Sequence, residues 1–328
     1  MNQRLTFKGI GSVLKDSFNG FLDDKVFKLS GALAYFTIFA IGPMLIVIIY
    51  FADIFYGREA IEGTIYGQIK GFVGADAAAQ IQAIIKNATL STQNKFTATI
   101  GFITLFIAAT GVFTEIQDSI NTIWNLKTKP KKEWLKMVLN RLISFSVIVS
   151  LGFILLVSLV INGLIEALMA KLQASFPQLT VVMVYIVNVL ITFLITAVLF
   201  GIIFKALPDA KIKWRDVMTG SIVTAILFMM GKFGITYYIG NSNIGTTYGA
   251  AGSLVVLLLW VYYSAIILYF GAEFTKSYAA RYGGSIQPNK YAVWIKHIEV
   301  EDGKGSLRQQ EVKKKIENEQ TGDEVKIT

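Results

Sequence analysis

The sequence predicts an all-α integral membrane protein with six transmembrane helices and interfacial amphipathic helices beside them. Three observations carry this. Apolar residues make up 54% of the 328 and charged residues 16%, against ~45–50% and ~25% in ordinary soluble domains; the mean hydropathy is +0.54. Six apolar stretches reach the ~20 residues a helix needs to cross ~30 Å of hydrocarbon. Lysine and arginine crowd alternate connections between those stretches, as the positive-inside bias requires.

The chain opens with an apolar row, Ile10, Leu14, Phe18, Phe21 and Leu22, set among lysines. The spacing predicts an amphipathic helix, lying in the membrane interface against an anionic leaflet or packed on the bundle. The first span runs from Leu29 to Phe51 and the second from Phe96, clearly apolar through Phe113. The third covers Leu142 to Ile165, the fourth Leu179 to Phe204, the fifth Val217 to Tyr238 and the sixth Gly249 to Phe274. Core helices of a soluble protein would carry polar faces that these stretches lack. Between the first two spans, residues 52–95 place Ile61, Ile65, Ile69 and Phe72, then Ile81, Ile84 and Ile85, at near-helical spacing. Two further amphipathic helices on the outer surface are expected there.

Orientation follows from the basic residues. The N-terminal tail carries five, the second connection six, the fourth connection four and the C-terminal tail ten. With six spans these regions share one side, so 25 of the 31 lysines and arginines lie together. Both termini are therefore expected in the cytoplasm. The long polar start before the first span, and the absence of a small-residue cleavage site after it, predict a signal anchor rather than a cleaved signal peptide. Residues 1–283 form the predicted membrane domain. Residues 284–328 are polar, contain Lys313, Lys314 and Lys315, and read as a flexible cytoplasmic tail.

Zero cysteines exclude disulfides and thiolate metal sites, and a single histidine, His297, excludes a multi-histidine metal centre. No phosphate loop of the Gly-rich Lys-Ser/Thr kind is present. The expectation is a protein that is not an enzyme, with no cofactor and no nucleic-acid partner.

Polar groups inside hydrocarbon are costly and mark functional candidates. Lys232 lies within the fifth span between Gly231 and Gly234. Either it snorkels outward, or it faces a cavity and attracts an anionic group. Glu166 lies at similar depth and could be its counter-ion. In GVFTEIQDSINTIWN, Ile116, Ile120, Ile123 and Trp124 share one helical face, while Glu115 and Asp118 are neighbours three residues apart. Glu273 stands at comparable depth in the sixth span. The three carboxylates form either a cation or proton relay or a hydrated polar collar. Pro43, beside Gly42, predicts a kink in the first span.

ALAYFTIFAIGPMLIVII, GVFTEIQDSINTIWN and TTYGAAGSLVVLLLWVYYSAIILYFGAEFTKSYA together resemble the YihY/BrkB family of bacterial multi-pass inner-membrane proteins, over roughly residues 10–282. The matching residues include Tyr35, Pro43, Glu115, Asp118, Trp260, Gly271 and Glu273. The resemblance implies an inner-membrane protein, with serum-resistance or virulence labels among its relatives and a proposed role in lipid or glycolipid export. It supplies no catalytic residues. Some relatives have carried a ribonuclease BN label, but a metal-dependent nuclease needs clustered ligands, which one histidine in a tail cannot supply. The expected function is transport or export of an amphiphilic anionic lipid or glycolipid, with membrane lipids as partners. The alternative is an envelope structural or assembly factor without transport. The substrate-path candidates are Lys232, Glu166, Glu115, Asp118, Glu273, Tyr35 and Pro43.

Overall fold

The computed structural model describes residues 6–40, 79, 95–129, 177–241, 252–290 and 292–295. They form six helices and four short strands. The helices are α1 (Phe7–Asp23), α2 (Val26–Ala40), α3 (Lys95–Ile123), α4 (Pro177–Ala206), α5 (Trp214–Asn241) and α6 (Gly252–Tyr282). The strands are β1 (Leu126–Thr128), β2 (Ala210–Lys211), β3 (Gln287–Pro288) and β4 (Ala292–Trp294). The third expected span, Glu166, Pro43 and nearly all of the outer connection lie outside the described residues.

Among the described residues, three helices hold segments long and apolar enough to cross a membrane: Ile186–Ala206, Trp214–Ile239 and Leu254–Tyr282. Their surfaces show what solvates them. Ile186, Leu190, Leu194 and Val198 form an exposed apolar row on α4, as do Trp214, Met218, Ile222, Ile226 and Met230 on α5. Such rows suit lipid rather than water. The apolar segment of α6 is the most buried of the three, and α6 packs on α1, α3 and α5.

α1 begins at Thr6, whose hydroxyl accepts the Gly9 N–H at 3.2 Å, satisfying one of the free donors of the first turn. Its buried row is Gly9, Val13, Ser17 and Phe21, while Ile10, Leu14, Phe18 and Leu22 are exposed. α1 packs against α6, and the second row is left apolar and uncovered. The row expected from sequence is therefore split: Phe21 enters the core and its other four members do not. Lys25, at φ 53°, makes the two-residue turn into α2.

The core is densest at one end of the bundle, here called the base, where α3, α4 and α6 finish and α2 and α5 start. Val26, Ile120, Ile123, Trp124, Phe204, Val217 and Tyr269 meet there. Trp124 donates its ring N–H to the Ala272 carbonyl at 3.0 Å, fixing the end of α3 to α6. Asn125 adopts a left-handed φ of 55°, which asparagine tolerates better than most residues; it ends α3 and turns the chain into β1.

The strands clasp the base. β1 pairs antiparallel with β4, Leu126 opposite Trp294 and Thr128 opposite Ala292. β2 pairs antiparallel with β3, Lys211 opposite Gln287. The compact unit consequently runs from Met1 to Trp294, past the boundary at residue 283 that polarity suggests. Strand pairing uses backbone groups, so segments as polar as these can still belong to the folded body. Ile295–Thr328 forms a second unit, with only Ile295 among the described residues.

Candidate functional site

A charged cluster joins α1 to α6 at the base. Glu273, on α6, is 1% exposed. One turn on, the Lys276 ammonium lies 3.5 Å from Glu273 Oε2 and 3.2 Å from Asp24 Oδ2. Asp24 caps the end of α1. One lysine thus bridges a buried glutamate and an aspartate 252 residues away in sequence. Gly20 makes the approach possible: a side-chain carbon there would stand 2.6 Å from Glu273 Oε2. Glu273 Oε1 has no hydrogen-bond partner among the described residues.

The face of α6 that carries Glu273 also carries Tyr269 one turn earlier. The buried Tyr269 phenol lies beside Ser119 and Glu115 of α3. Ser119 donates to Glu115 Oε1 at 3.3 Å, and Glu115 is half-buried. Of the three carboxylates read from sequence, Glu115 lies beside this tyrosine, Glu273 lies four residues from it on α6, and Asp118 is exposed. The isoleucine face expected of this helix is present: Ile116, Ile120 and Ile123 are buried with Trp124.

A second polar centre lies close in the fold. Asp209, between α4 and β2, is buried. Its Oδ2 accepts from Gln117 Nε2 at 3.2 Å, Asn121 Nδ2 at 3.1 Å and Thr128 Oγ1 at 3.4 Å. Its Oδ1 accepts from Asn289 Nδ2 at 3.1 Å. Asn121 completes the pairing by accepting the Asp209 backbone N–H at 2.8 Å. Neutral side-chain donors thus engage both oxygens of the carboxylate. Here it ties α3, β1 and the β3–β4 turn to the α4–α5 connection.

Lys232 is half-buried on α5. Its flanking glycines differ. Gly231 abuts the Tyr263 side chain of α6, whereas a side-chain carbon on Gly234 would meet nothing within 4 Å. Tyr35, on α2, is 60% exposed, with its ring 4.8 Å from that of Phe39. Glu115 thus lies beside Tyr269 with Asp118 as its charged neighbour on α3, Glu273 pairs with Lys276, and Lys232 and Tyr35 lie on other helices, α5 and α2. Asp24, Lys276, Asp209, Gln117 and Asn289 are not singled out by sequence reasoning. Asp209 sits in a short Leu-Pro-Asp turn, and Lys276 reads as one of many basic residues at span ends. The signal that could have found the second centre is Gln117 and Asn121, two amides spaced by four on one helix.

No group of three or more acidic or histidine side chains that could hold a metal occurs among the described residues.

Residues 17–293 match the family model described as virulence factor BrkB, and the match ends one residue before the compact unit does. A UPF0761 membrane protein of Stenotrophomonas maltophilia is 26% identical over 263 residues, covering 79% of this chain and 59% of that protein. A UPF0761 membrane protein of Ralstonia nicotianae is 24% identical, covering 76% and 55%. One from Tolumonas auensis is 25% identical, covering 77% and 80%. The chain spans about three fifths of the length of the first of these curated relatives. No solved structure matches it. With most of its length matched and three membrane-length helices among its described residues, the chain belongs to the BrkB family of membrane proteins.

Proposed function

We propose that this membrane protein moves an amphiphilic anionic substrate, a lipid or glycolipid, in a bacterial inner membrane. The proposed arrangement has six spans and both termini in the cytoplasm. The observation that carries the reading is the Asp24–Lys276–Glu273 cluster. A buried ion pair is weak as a stabilising device, since well-packed apolar residues of similar volume do as well or better. Charge retained inside the end of an apolar bundle therefore suggests a working part. The cluster links amphipathic α1 to central α6, the placement of a gate that couples movement of α1 to opening of the base. Glu115 and Glu273 would serve as its polar lining. Lys232 would attract the anionic group farther along α5.

The alternative, a structural or assembly factor of the envelope, draws support from the close packing of α5 on α6, where glycines admit threonines. Reconstitution separates the two. Vesicles containing the full chain and a fluorescent anionic phospholipid should exchange the lipid between leaflets faster than protein-free vesicles. Asp24→Asn, Glu273→Gln and Lys276→Met combined should abolish the gain while the chain still inserts. Equal exchange in wild-type and protein-free vesicles would favour the structural reading.

A further inference from the structure

A cavity of about 520 Å³ opens at the α4–α5 turn, lined by Lys205, Lys211, Lys213, Gly284, Ser285 and Gln287 among others. We infer that this cavity holds the phosphate of an anionic phospholipid belonging to the leaflet that the base faces. The inference stands apart from transport: the lipid is a resident of the turn, whether or not the chain moves any substrate.

Three lysines and no carboxylate line the cavity among the described residues. Asp216 is buried, and its Oδ2 is engaged by the N–H of the lining residue Gly284 at 3.1 Å. Lys205 is held in place: its ammonium donates to the Ile212 carbonyl and lies 5.6 Å over the Trp214 ring. Lys211 and Lys213 are exposed and supply mobile cations. Gly284 leaves room for the Lys213 stem, whose Cε would stand 2.7 Å from a side-chain carbon at that position. The turn thus collects positive charge just ahead of α5, whose first turn carries Asp216 as its own anion.

The surface beside the cavity points to a lipid rather than a free anion. Trp214 is 58% exposed, and tryptophan is enriched where helices meet the membrane interface. From it the exposed row Met218, Ile222 and Ile226 runs along α5. Twelve residues at ~1.5 Å each give about 18 Å, close to half of the ~30 Å hydrocarbon core. A phosphate among the lysines would place its acyl chains along that row. Basic pockets beside membrane helices bind anionic head groups on these terms.

Native mass spectrometry of the purified full chain tests the inference, with phosphatidylglycerol, phosphatidylcholine and inorganic phosphate as probes. Phosphatidylglycerol should bind in preference to phosphatidylcholine. Each near-surface lysine is worth roughly a five-fold factor in anion affinity. Lys211→Gln with Lys213→Gln should therefore weaken phosphatidylglycerol binding on the order of 25-fold. The charge-matched pair Lys127→Gln and Lys129→Gln should leave it intact, and Lys211→Arg with Lys213→Arg should retain it, which guards against misfolding as the cause of a loss. Equal binding of the two lipids, or undiminished phosphatidylglycerol binding in the glutamine variant, would overturn the site. Displacement of bound lipid by equimolar inorganic phosphate would overturn the choice of a lipid as its occupant.

Discussion

Gly220 of α5 and Thr275 of α6 share one contact: a side-chain carbon on Gly220 would overlap the threonine hydroxyl. The relation is reciprocal one turn away. Thr224 of α5 rests on Gly271 of α6 in the same manner. Each threonine hydroxyl also donates at 2.7 Å to the carbonyl of the glycine four residues earlier in its own helix. Polar hydroxyls are thereby satisfied within their own helices, and the two helices meet through van der Waals contact, as close helix pairs in membranes do.

Gly220→Ala should therefore destabilise the chain by about 1–3 kcal/mol through overpacking. Gly234→Ala, at a position with open space, should have little effect. Thermal unfolding in detergent compares the two. Adding Thr275→Gly to Gly220→Ala should recover part of the loss; no recovery would mean the contact is not the cause.

Lys276 is 28% exposed, Asp24 20% and Glu273 1%. Removing the lysine leaves Glu273 uncompensated. A fully buried pair broken in this way costs ~3–5 kcal/mol, but solvent reaches this ammonium, so Lys276→Met should cost about 1–3 kcal/mol. Glu273→Gln added to it should restore stability in the same unfolding assay. A double variant no more stable than Lys276→Met would refute the pairing.

Asp209→Asn is nearly isosteric yet places an N–H₂ among side chains that donate. It should cost about 2–4 kcal/mol and release the β3–β4 turn that Asn289 anchors. Limited proteolysis checks this: cleavage near Lys290 should accelerate in the variant, while the wild type resists.

The apolar helices were legible because hydrocarbon length imposes a long, uninterrupted signal. The buried isoleucine face at the end of α3 was legible because its period is that of a helix. Glu273 stood out as a carboxylate in an apolar run. Its partners did not, since the Asp24–Lys276 contact spans 252 residues and nothing in either local sequence records the other. The strands were equally silent: pairings of two or three residues are too short to show a period. The α1 row leaves open whether it faces the interface or the bundle, because the contact with α6 is made by the small residues Gly9 and Ser17 with Val13 and Phe21, which a search for large apolar side chains does not find.

Trp124→Phe removes one donor from the base and one of the two fused rings of a fully buried side chain. Loss of the bond to the Ala272 carbonyl together with the cavity left should cost ~2–3 kcal/mol, read as a lower unfolding temperature. A change within error would show that this bond contributes no net stability.

The clasp of β3 and β4 on β2 and β1 also sets an order of events during synthesis. Leu126 leaves the ribosome 168 residues before its partner Trp294, and Lys211 leaves 76 residues before Gln287. Until translation passes Trp294, the turns after α3 and α4 have bare strand edges and Asp209 lacks Asn289. The helices enter the membrane in sequence, but the base becomes complete only when this late segment arrives. A ribosome that stops short of it releases inserted helices with an open end, the form that a quality-control protease would meet first.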